Sequence, residues 1–567
     1  MLQSSRINMA EKIFIGVAWP YANGSLHTGQ LVGAYLPADI FARYHRAIGN
    51  QVLMVSGSDQ HGTPITVRAE QEGVSPAEVA ARFHQEFLET WQRIGITWDL
   101  YTTTSTENHA RTTHDIFLRL LKAGHIYTDS MSLPYCPRDR RFLPDRYVEG
   151  NCPACDYDAA RGDQCDNCGR TLNTSDLINP RCRLCGATPE IRRQEHFFLR
   201  LSAFNDHLKA WGSQQTHWRK PVLNWTLGIL GEGLQDRAIT RDIDWGISVP
   251  MPGWESKRIY VWFEAVIGYL SATKEWAQRQ GEPDAWRQFW QDPSVKSYYF
   301  IGKDNIPFHT LIWPAMLMGY SEAAGENYNL PYDVPANQYQ TIRGGKASTS
   351  RRMAIWVPDF LSRYDPDPLR YYLSAGMPET SDSDFTWADF LRRNNDELVA
   401  TWGNLVNRVL TFAYRNFEGA VPQPADLTPG DRALLARAEH VITEVGDDIA
   451  LCRFRSGIEA AMAIARETNR YVEENAPWRL LAEDRGRCAT VLYTAIGVIS
   501  ALKVALYPYL PFTCQTLHAY LGNEGPLEST GWRLRLPVPG QPLAELRPLF
   551  KKLEPTIVDE EEARLGL

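Results

Sequence analysis

Lys12-Ile13-Phe14-Ile15-Gly16-Val17-Ala18-Trp19-Pro20-Tyr21-Ala22-Asn23-Gly24-Ser25-Leu26-His27-Thr28-Gly29-Gln30 decides the fold. Ile13 to Ala18 carries no charge and no polar alternation, the pattern of a strand covered on both faces. A turn rich in Pro, Asn and Gly follows, and helical periodicity begins near Gly29. Strand, turn and helix in this order open a parallel α/β unit. Val52-Leu53-Met54-Val55 reads as the next strand, ending in Ser56-Gly57-Ser58-Asp59. Further on, Tyr298-Tyr299-Phe300-Ile301 repeats the arrangement, with Gly302-Lys303-Asp304 and another helical run behind it. In open α/β sheets ligands lie beyond the carboxyl ends of the strands, so residues directly after these runs are the site candidates.

Two loops have the chemistry to meet phosphate. Tyr21 to Gln30 places His27 and Gly29 where a helix opens, and there free N–H groups and the helix dipole favour an anion. Taken alone, this segment is equally a polar helix cap. Thr341-Ile342-Arg343-Gly344-Gly345-Lys346-Ala347-Ser348-Thr349-Ser350-Arg351-Arg352 joins glycines, hydroxyls and cations, which suits charge stabilisation in nucleotidyl transfer. Alone it is also a solvated turn. Neither G-x-G-x-x-G nor a Walker A sequence occurs, which excludes the usual dinucleotide and P-loop readings.

Between these halves, about Gly124 to Asp244, the pattern turns irregular and rich in Cys, Arg and Pro. Seven of the ten cysteines fall between Cys136 and Cys185. Cys152-x-x-Cys155 and Cys165-x-x-Cys168, nine residues apart, have the spacing of a tetrahedral zinc knuckle rather than of free surface thiols. Cys182-x-x-Cys185 lacks a matching pair, but Cys136 and Asp139 would complete a second site. A full thiolate set leaves no open coordination position, so such zinc is structural. Cys452, Cys488 and Cys514 lie in helical sequence and read as core residues. Beyond Trp387 helical periodicity runs almost throughout, with Arg533 to Val538 the one strand candidate.

The composition fits a soluble cytoplasmic protein: no apolar run reaches about 18 residues, and the polar N-terminus lacks a targeting pattern. A net charge of −8 argues against indiscriminate coating of nucleic acid. Local clusters such as Arg138/Arg140/Arg141/Arg146 and Arg343/Lys346/Arg351/Arg352 remain compatible with a large RNA partner.

Taken in order, these pieces resemble the methionyl-tRNA synthetases, a family of class I aminoacyl-tRNA synthetases, from about Lys12 to Gly522. The stretches that carry the resemblance are Pro20-Tyr21-Ala22-Asn23-Gly24, His61-Gly62-Thr63-Pro64, Phe142-Leu143-Pro144-Asp145-Arg146, Glu195-His196-Phe197-Phe198, Tyr260-Val261-Trp262-Phe263, Phe300-Ile301-Gly302-Lys303-Asp304 and Leu369-Arg370-Tyr371-Tyr372. The resemblance implies an α/β Rossmann-type catalytic domain in two halves, residues 1–123 and 245–335. It places a zinc-binding connective insertion at 124–244, a stem-contact region with a KMSKS-like loop at 336–387 and an all-α anticodon-binding domain with its tail at 388–567. It further implies methionyl-adenylate formation from L-methionine and ATP with Mg²⁺, transfer to the 3′ end of tRNA(Met), and a structural Zn²⁺. No membrane association is implied, and the expected state is a monomer.

By the same resemblance His27, Gly29 and Gln30 hold the HIGH positions, while Lys346, Ser348, Thr349 and Ser350 hold the KMSKS positions. His27 and Lys346 would be catalytic. Trp19, Tyr21, Asp59, Trp262, Tyr269 and His309 would surround methionine, with Asp59 on its ammonium group. Trp478 and Arg415 would meet the anticodon, and Cys152, Cys155, Cys165 and Cys168 the metal. Four departures from the family pattern stand out: Gln30 for the last HIGH histidine, Thr349 for the second KMSKS lysine, Trp19 for a smaller aliphatic, and Glu264-Ala265-Val266 for Asp-Ala-Pro. They leave two other readings open, a paralogue that charges an acceptor other than tRNA and an RNA-binding pseudoenzyme. Methionine-dependent pyrophosphate exchange followed by tRNA charging separates the three.

Overall fold

The computed structural model describes residues 10–143, 147–162, 165, 167–168, 172, 174–342, 345–346 and 354–565, with the backbone alone for Ser175, Gly345 and Lys346. Its centre is a five-stranded sheet built from β1 (Lys12–Val17), β2 (Gln51–Ser58), β3 (Leu100–Thr103), β4 (Lys296–Gly302) and β5 (Ala336–Asn337). The spatial order is β5-β4-β1-β2-β3 and every pairing is parallel. β1 aligns Ile13 to Val17 with Lys296 to Phe300 on one side and Lys12 to Gly16 with Gln51 to Val55 on the other.

The sheet is buried on both faces, which is why its strands lack polar alternation. Ile13, Ile15 and Val17 enter a core shared with the helix Leu36–Ala47 and the helical C-terminal half. Phe14, Leu53 and Val55 enter a second core with Tyr299, Trp290 and Trp313. The chain leaves β1 toward β2 and β3, then returns to the other side of β1 at β4, so the crevice beyond the ends of β1 and β4 is the switch point.

From Thr28 the chain is helical to Ala47, with a π-turn over Leu31–Tyr35. Within that turn the Val32 carbonyl accepts from Asn337 Nδ2 at 2.8 Å, and Arg219 holds the Asn337 side chain at 2.6 Å. Further along, Asp39 is fully buried and accepts from Arg43 at 2.8 Å and from Arg370 at 2.7 Å. Arg370 also donates to the carbonyls of Pro508 and Tyr509, so one buried guanidinium ties this helix to the C-terminal half. Asp39 sits below the ordinary carboxylate range: burial alone would raise it, and the two guanidinium groups and their hydrogen bonds outweigh that.

The region that reads as irregular in sequence contains a long antiparallel ribbon, Ile126–Cys136 against Glu190–Leu199, inside a four-stranded sheet. Much of the ribbon faces solvent on both sides, so neither strand shows a buried stripe. The opposite correction applies to Arg533 to Val538, which forms no strand. Helices Asn404–Asn416, Pro429–Ala450, Phe454–Asn475 and Arg485–Leu506 build most of the remainder. Arg485–Leu506 is long and apolar enough to cross a membrane, contrary to the sequence expectation, yet 94% of its apolar window is buried inside the protein. It is a core helix, enclosed by its helical neighbours.

Candidate active site and metal centres

The turn after β1 is fixed by its own side chains. His27 is the N-cap of the following helix: its Nδ1 accepts from the Gln30 backbone N–H at 3.3 Å, and Gln30 Oε1 accepts from the His27 N–H at 3.1 Å. Since Nδ1 accepts, the imidazole proton resides on Nε2. Burial pushes His27 down to about 4, so the ring is neutral and offers Nε2–H as a donor. Gly29 lets the ring pack closely, because a Cβ would lie 3.0 Å from His27 Nδ1 and push the ring aside. Gln30 therefore has a structural task that its sequence position did not disclose.

The second loop converges on this turn. Thr28 N–H donates to the Ile355 carbonyl at 3.0 Å, and Val357 N–H to the Leu26 carbonyl at 2.8 Å. On the entering side, the strand Gln340–Ile342 pairs with Gly345–Lys346 and with Ser383–Phe385. The entering strand also approaches the turn, since the Gln340 carbonyl oxygen would lie 3.8 Å from a Cβ at Gly29, so the chain on either side of the Lys346 loop flanks the His27 turn. Ser348, Thr349, Ser350, Arg351, Arg352 and the Lys346 side chain lie outside the described residues.

Beyond the ends of β1, β2 and β4 the structure brings together the residues that the resemblance places around methionine. Asp59 is buried, its backbone clamped to Pro20 and Ala22, and its Oδ1 accepts from the His61 N–H at 3.3 Å. Burial, reinforced by Glu264, pushes the Asp59 carboxyl well above its usual range. Tyr21 OH accepts from Trp262 Nε1 at 3.0 Å, and Trp262 is 41% exposed at the mouth. His309, on the π-turn Phe308–Ile312, donates from Nδ1 to the Asn305 carbonyl at 2.9 Å, so its Nε2 accepts from Tyr269 OH at 2.7 Å. Burial holds His309 down at about 4, which keeps the ring neutral. Trp19 finds room because Gly57 and Gly268 face it: a Cβ at Gly268 would stand 2.8 Å from the indole, and one at Gly57 would overlap it.

Sequence reasoning missed the polar layer behind this pocket. Glu264 is fully buried and accepts from His61 Nδ1 at 2.8 Å and from His109 Nε2 at 3.0 Å. His109 Nδ1 lies 2.8 Å from Ser271 Oγ. A lone acidic residue inside an apolar stretch was the available sign. Asp304 accepts a hydrogen bond from Tyr339 OH, a contact across 35 residues with no sign in the sequence.

Both cysteine sets converge. Cys152 and Cys168 Sγ are 3.8 Å apart and Cys155 and Cys165 Sγ 3.6 Å, with all four within 4.8 Å of one another. Four thiolates about 2.3 Å from one zinc would be separated by about 3.8 Å, so this set fits a tetrahedral ion. Cys136, Asp139, Cys182 and Cys185 also converge, with Cys136 and Cys185 Sγ 3.4 Å apart and Asp139 Oδ2 3.2 Å from Cys182 Sγ. At the far end, Trp478 is 41% exposed with the Arg408 guanidinium 5.2 Å from its ring, and Arg415 is exposed on the helix Asn404–Asn416.

If the knuckle zinc is structural, its removal unfolds the insertion, since apparent binding energies of such sites are about 10–16 kcal/mol. Metal analysis is expected to find zinc, and Cys165→Ser to make residues 147–199 protease-sensitive while the five-stranded sheet stays resistant. Zinc-free protein with an unchanged cleavage pattern would contradict this.

A parallel sheet with a His-capped turn at its switch point, and the chain after the lysine loop hydrogen-bonded to that turn, is the arrangement of a class I tRNA synthetase, and the family comparison shows that class. Residues 13–410 match the family model described as tRNA synthetases class I (M), and residues 421–565 match the anticodon binding domain of methionyl tRNA ligase. The chain belongs to the methionyl-tRNA synthetase family. It is 57% identical over 559 residues to the methionine–tRNA ligase of Dehalococcoides mccartyi, covering 99% of this chain and 100% of that one. The corresponding ligase of Thermomicrobium roseum is 52% identical over 98% of this chain and 99% of its own. Among solved structures, Mycobacterium tuberculosis methionyl-tRNA synthetase in complex with methionyl-adenylate superposes with a TM-score of 0.78 at 25% identity, covering 95% of this chain and 99% of its own.

Proposed function

We propose that the chain is a methionine–tRNA ligase that activates L-methionine with ATP and passes the methionyl group to tRNA(Met). The observation that carries this reading is that the chain after the Lys346 loop is hydrogen-bonded to the His27 turn at Ile355 and Val357, close to the buried carboxylate of Asp59. In this reading Asp59 holds the methionine ammonium, and Tyr21, Trp262, Tyr269, His309 and Trp19 enclose the thioether, which suits aromatic faces and edges. The methionine carboxylate attacks the α-phosphorus of ATP, the bond to the bridging oxygen breaks, and pyrophosphate leaves with the electron pair. His27 Nε2–H and Lys346 stabilise charge on the phosphates as that bond breaks. The 3′-terminal ribose hydroxyl of tRNA then displaces AMP.

Cys152, Cys155, Cys165 and Cys168 would hold a structural zinc ion, Cys136, Asp139, Cys182 and Cys185 would hold a second, and Mg²⁺ would accompany ATP. We take the boundaries to be 1–123, 124–244, 245–335, 336–387 and 388–567, in a cytoplasmic monomer. Methionine-dependent pyrophosphate exchange followed by charging of tRNA(Met) tests the whole reading. Exchange without charging favours a non-tRNA acceptor, and no exchange favours a pseudoenzyme.

The helical half adds a separate test. Trp478 is half-exposed with the Arg408 guanidinium near its ring, and a base stacked on the indole would contribute roughly 1–3 kcal/mol. Trp478→Ala is expected to lower charging about five- to a hundred-fold and leave exchange without tRNA unchanged. Equal losses in both assays would remove Trp478 from the anticodon site.

A further inference from the structure

Behind Asp59 lie buried charges that the reaction as written does not use. Glu264 receives hydrogen bonds from two histidines, and His61 is joined to both carboxylates: its ring to Glu264 at 2.8 Å and its backbone N–H to Asp59 at 3.3 Å. We propose that Glu264 and His61 are a pair of positioning residues that set the charge of Asp59, and with it the pH range in which the pocket accepts an ammonium group. The proposal rests on the reading of Asp59 as the ammonium acceptor.

Electrostatics support it in both directions. Glu264 raises the Asp59 carboxyl, whereas the His61 ring and backbone lower it. Glu264 and Asp59 in turn raise His61 against its burial. Glu264 is held at about 2, because its histidine partners outweigh burial. With Glu264 ionised and His61 cationic the pair is neutral as seen from Asp59, and Asp59 alone carries the net charge offered to substrate. Facing this set are His109 from the helix Glu107–Lys122, Ser105 Oγ at 3.3 Å from His61 Nε2, the Trp245 ring, and His84, which meets Ser58 Oγ next to Asp59. A glutamate here, one methylene longer than the aspartate usual in the family, keeps each carboxylate oxygen on its own histidine.

Asp59 must be ionised to receive an ammonium group, so kcat/KM for methionine falls below the Asp59 pKa. Removing His61 alone leaves Glu264 uncompensated beside Asp59, and an unbalanced like charge raises a carboxyl by roughly one to two units. The experiment is pyrophosphate exchange from pH 5.5 to 9 for wild type, His61→Asn and the double variant His61→Asn/Glu264→Gln. The acid limb of kcat/KM for methionine is expected to move up by roughly one to two pH units in His61→Asn, a loss of up to about ten- to a hundred-fold on the acid side that recovers toward pH 9. The KM for ATP stays constant, and the double variant returns the limb to wild type or below. A His61→Asn profile lowered equally at every pH, or a double variant no better than the single, overturns the proposal.

If His61→Asn does not fold, wild-type protein answers. Calorimetry of methionine binding in two buffers of different ionisation enthalpy is expected to show proton release that grows as pH falls from 9 toward the Asp59 pKa. No proton release at any pH overturns the proposal. Asp59→Asn separates the failures: if it binds methionine normally, the reading of Asp59 is wrong, and if it does not while His61→Asn behaves as wild type, only the pair is wrong.

Discussion

Asp59→Asn is expected to lower kcat/KM for methionine by roughly a hundred- to several-thousand-fold, with ATP binding preserved. The replacement keeps shape and removes charge, so the substrate ammonium enters a buried site with no counter-ion. Leaving one partner of a buried charge pair unmatched costs about 3–5 kcal/mol, and each 1.4 kcal/mol is a factor of ten. Stability moves the other way. The Asp59 carboxyl is raised by burial and by Glu264, so folding favours its protonated form. That contribution is present below the ordinary aspartate range and is lost as pH rises through the folded value. Asp59→Asn is therefore expected to melt higher than wild type near neutral pH, with the gap closing as pH falls toward 4. Exchange assays and melting curves on the same preparations check both halves. A variant that is both less active and less stable at neutral pH would mean that Asp59 is a structural carboxylate instead.

This opposition of activity and stability is visible only in the folded chain. The sequence places Asp59 just after a strand, which makes it a site candidate, because the apolar run Val52 to Val55 ends in Ser56-Gly57-Ser58-Asp59; its role toward an ammonium group comes from the family resemblance. The His27 turn was legible for the same reason: a two-sided buried strand, a Gly-rich turn and a helix leave one place for an anion. The cysteine knuckle was legible because metal spacing is local in sequence. What escaped were contacts between distant segments. Glu264 meets His61 and His109 across 203 and 155 residues, and no periodicity encodes that meeting. The Ile126–Cys136 ribbon escaped because both its faces are largely wet. Gln30, which looks like a lost histidine, turns out to complete a reciprocal cap with His27.

Lys346→Ala is expected to slow adenylate formation about a hundred- to a thousand-fold while weakening ATP binding far less. A charge-stabilising donor at a transition state typically contributes that much, and its contacts form mainly as the pyrophosphate bond breaks. The backbone supports this placement, since Lys346 pairs with Thr341 and the chain beyond the loop returns to the His27 turn through Ile355. Thr349 removes a cation that the family pattern carries, and Arg351 and Arg352 restore charge without restoring a lysine's geometry. If the remaining lysine carries the stabilisation, Thr349→Lys raises the activation rate or leaves it unchanged, and the double variant Lys346→Ala/Thr349→Lys recovers part of the loss. Single-turnover formation of methionyl-adenylate, with KM for ATP measured in parallel, separates rate from binding. Should Lys346→Ala match wild type, charge on the leaving group must be met elsewhere, by His27 and the metal-bound phosphates. The intact His27–Gln30 cap would then be the feature on which activation depends.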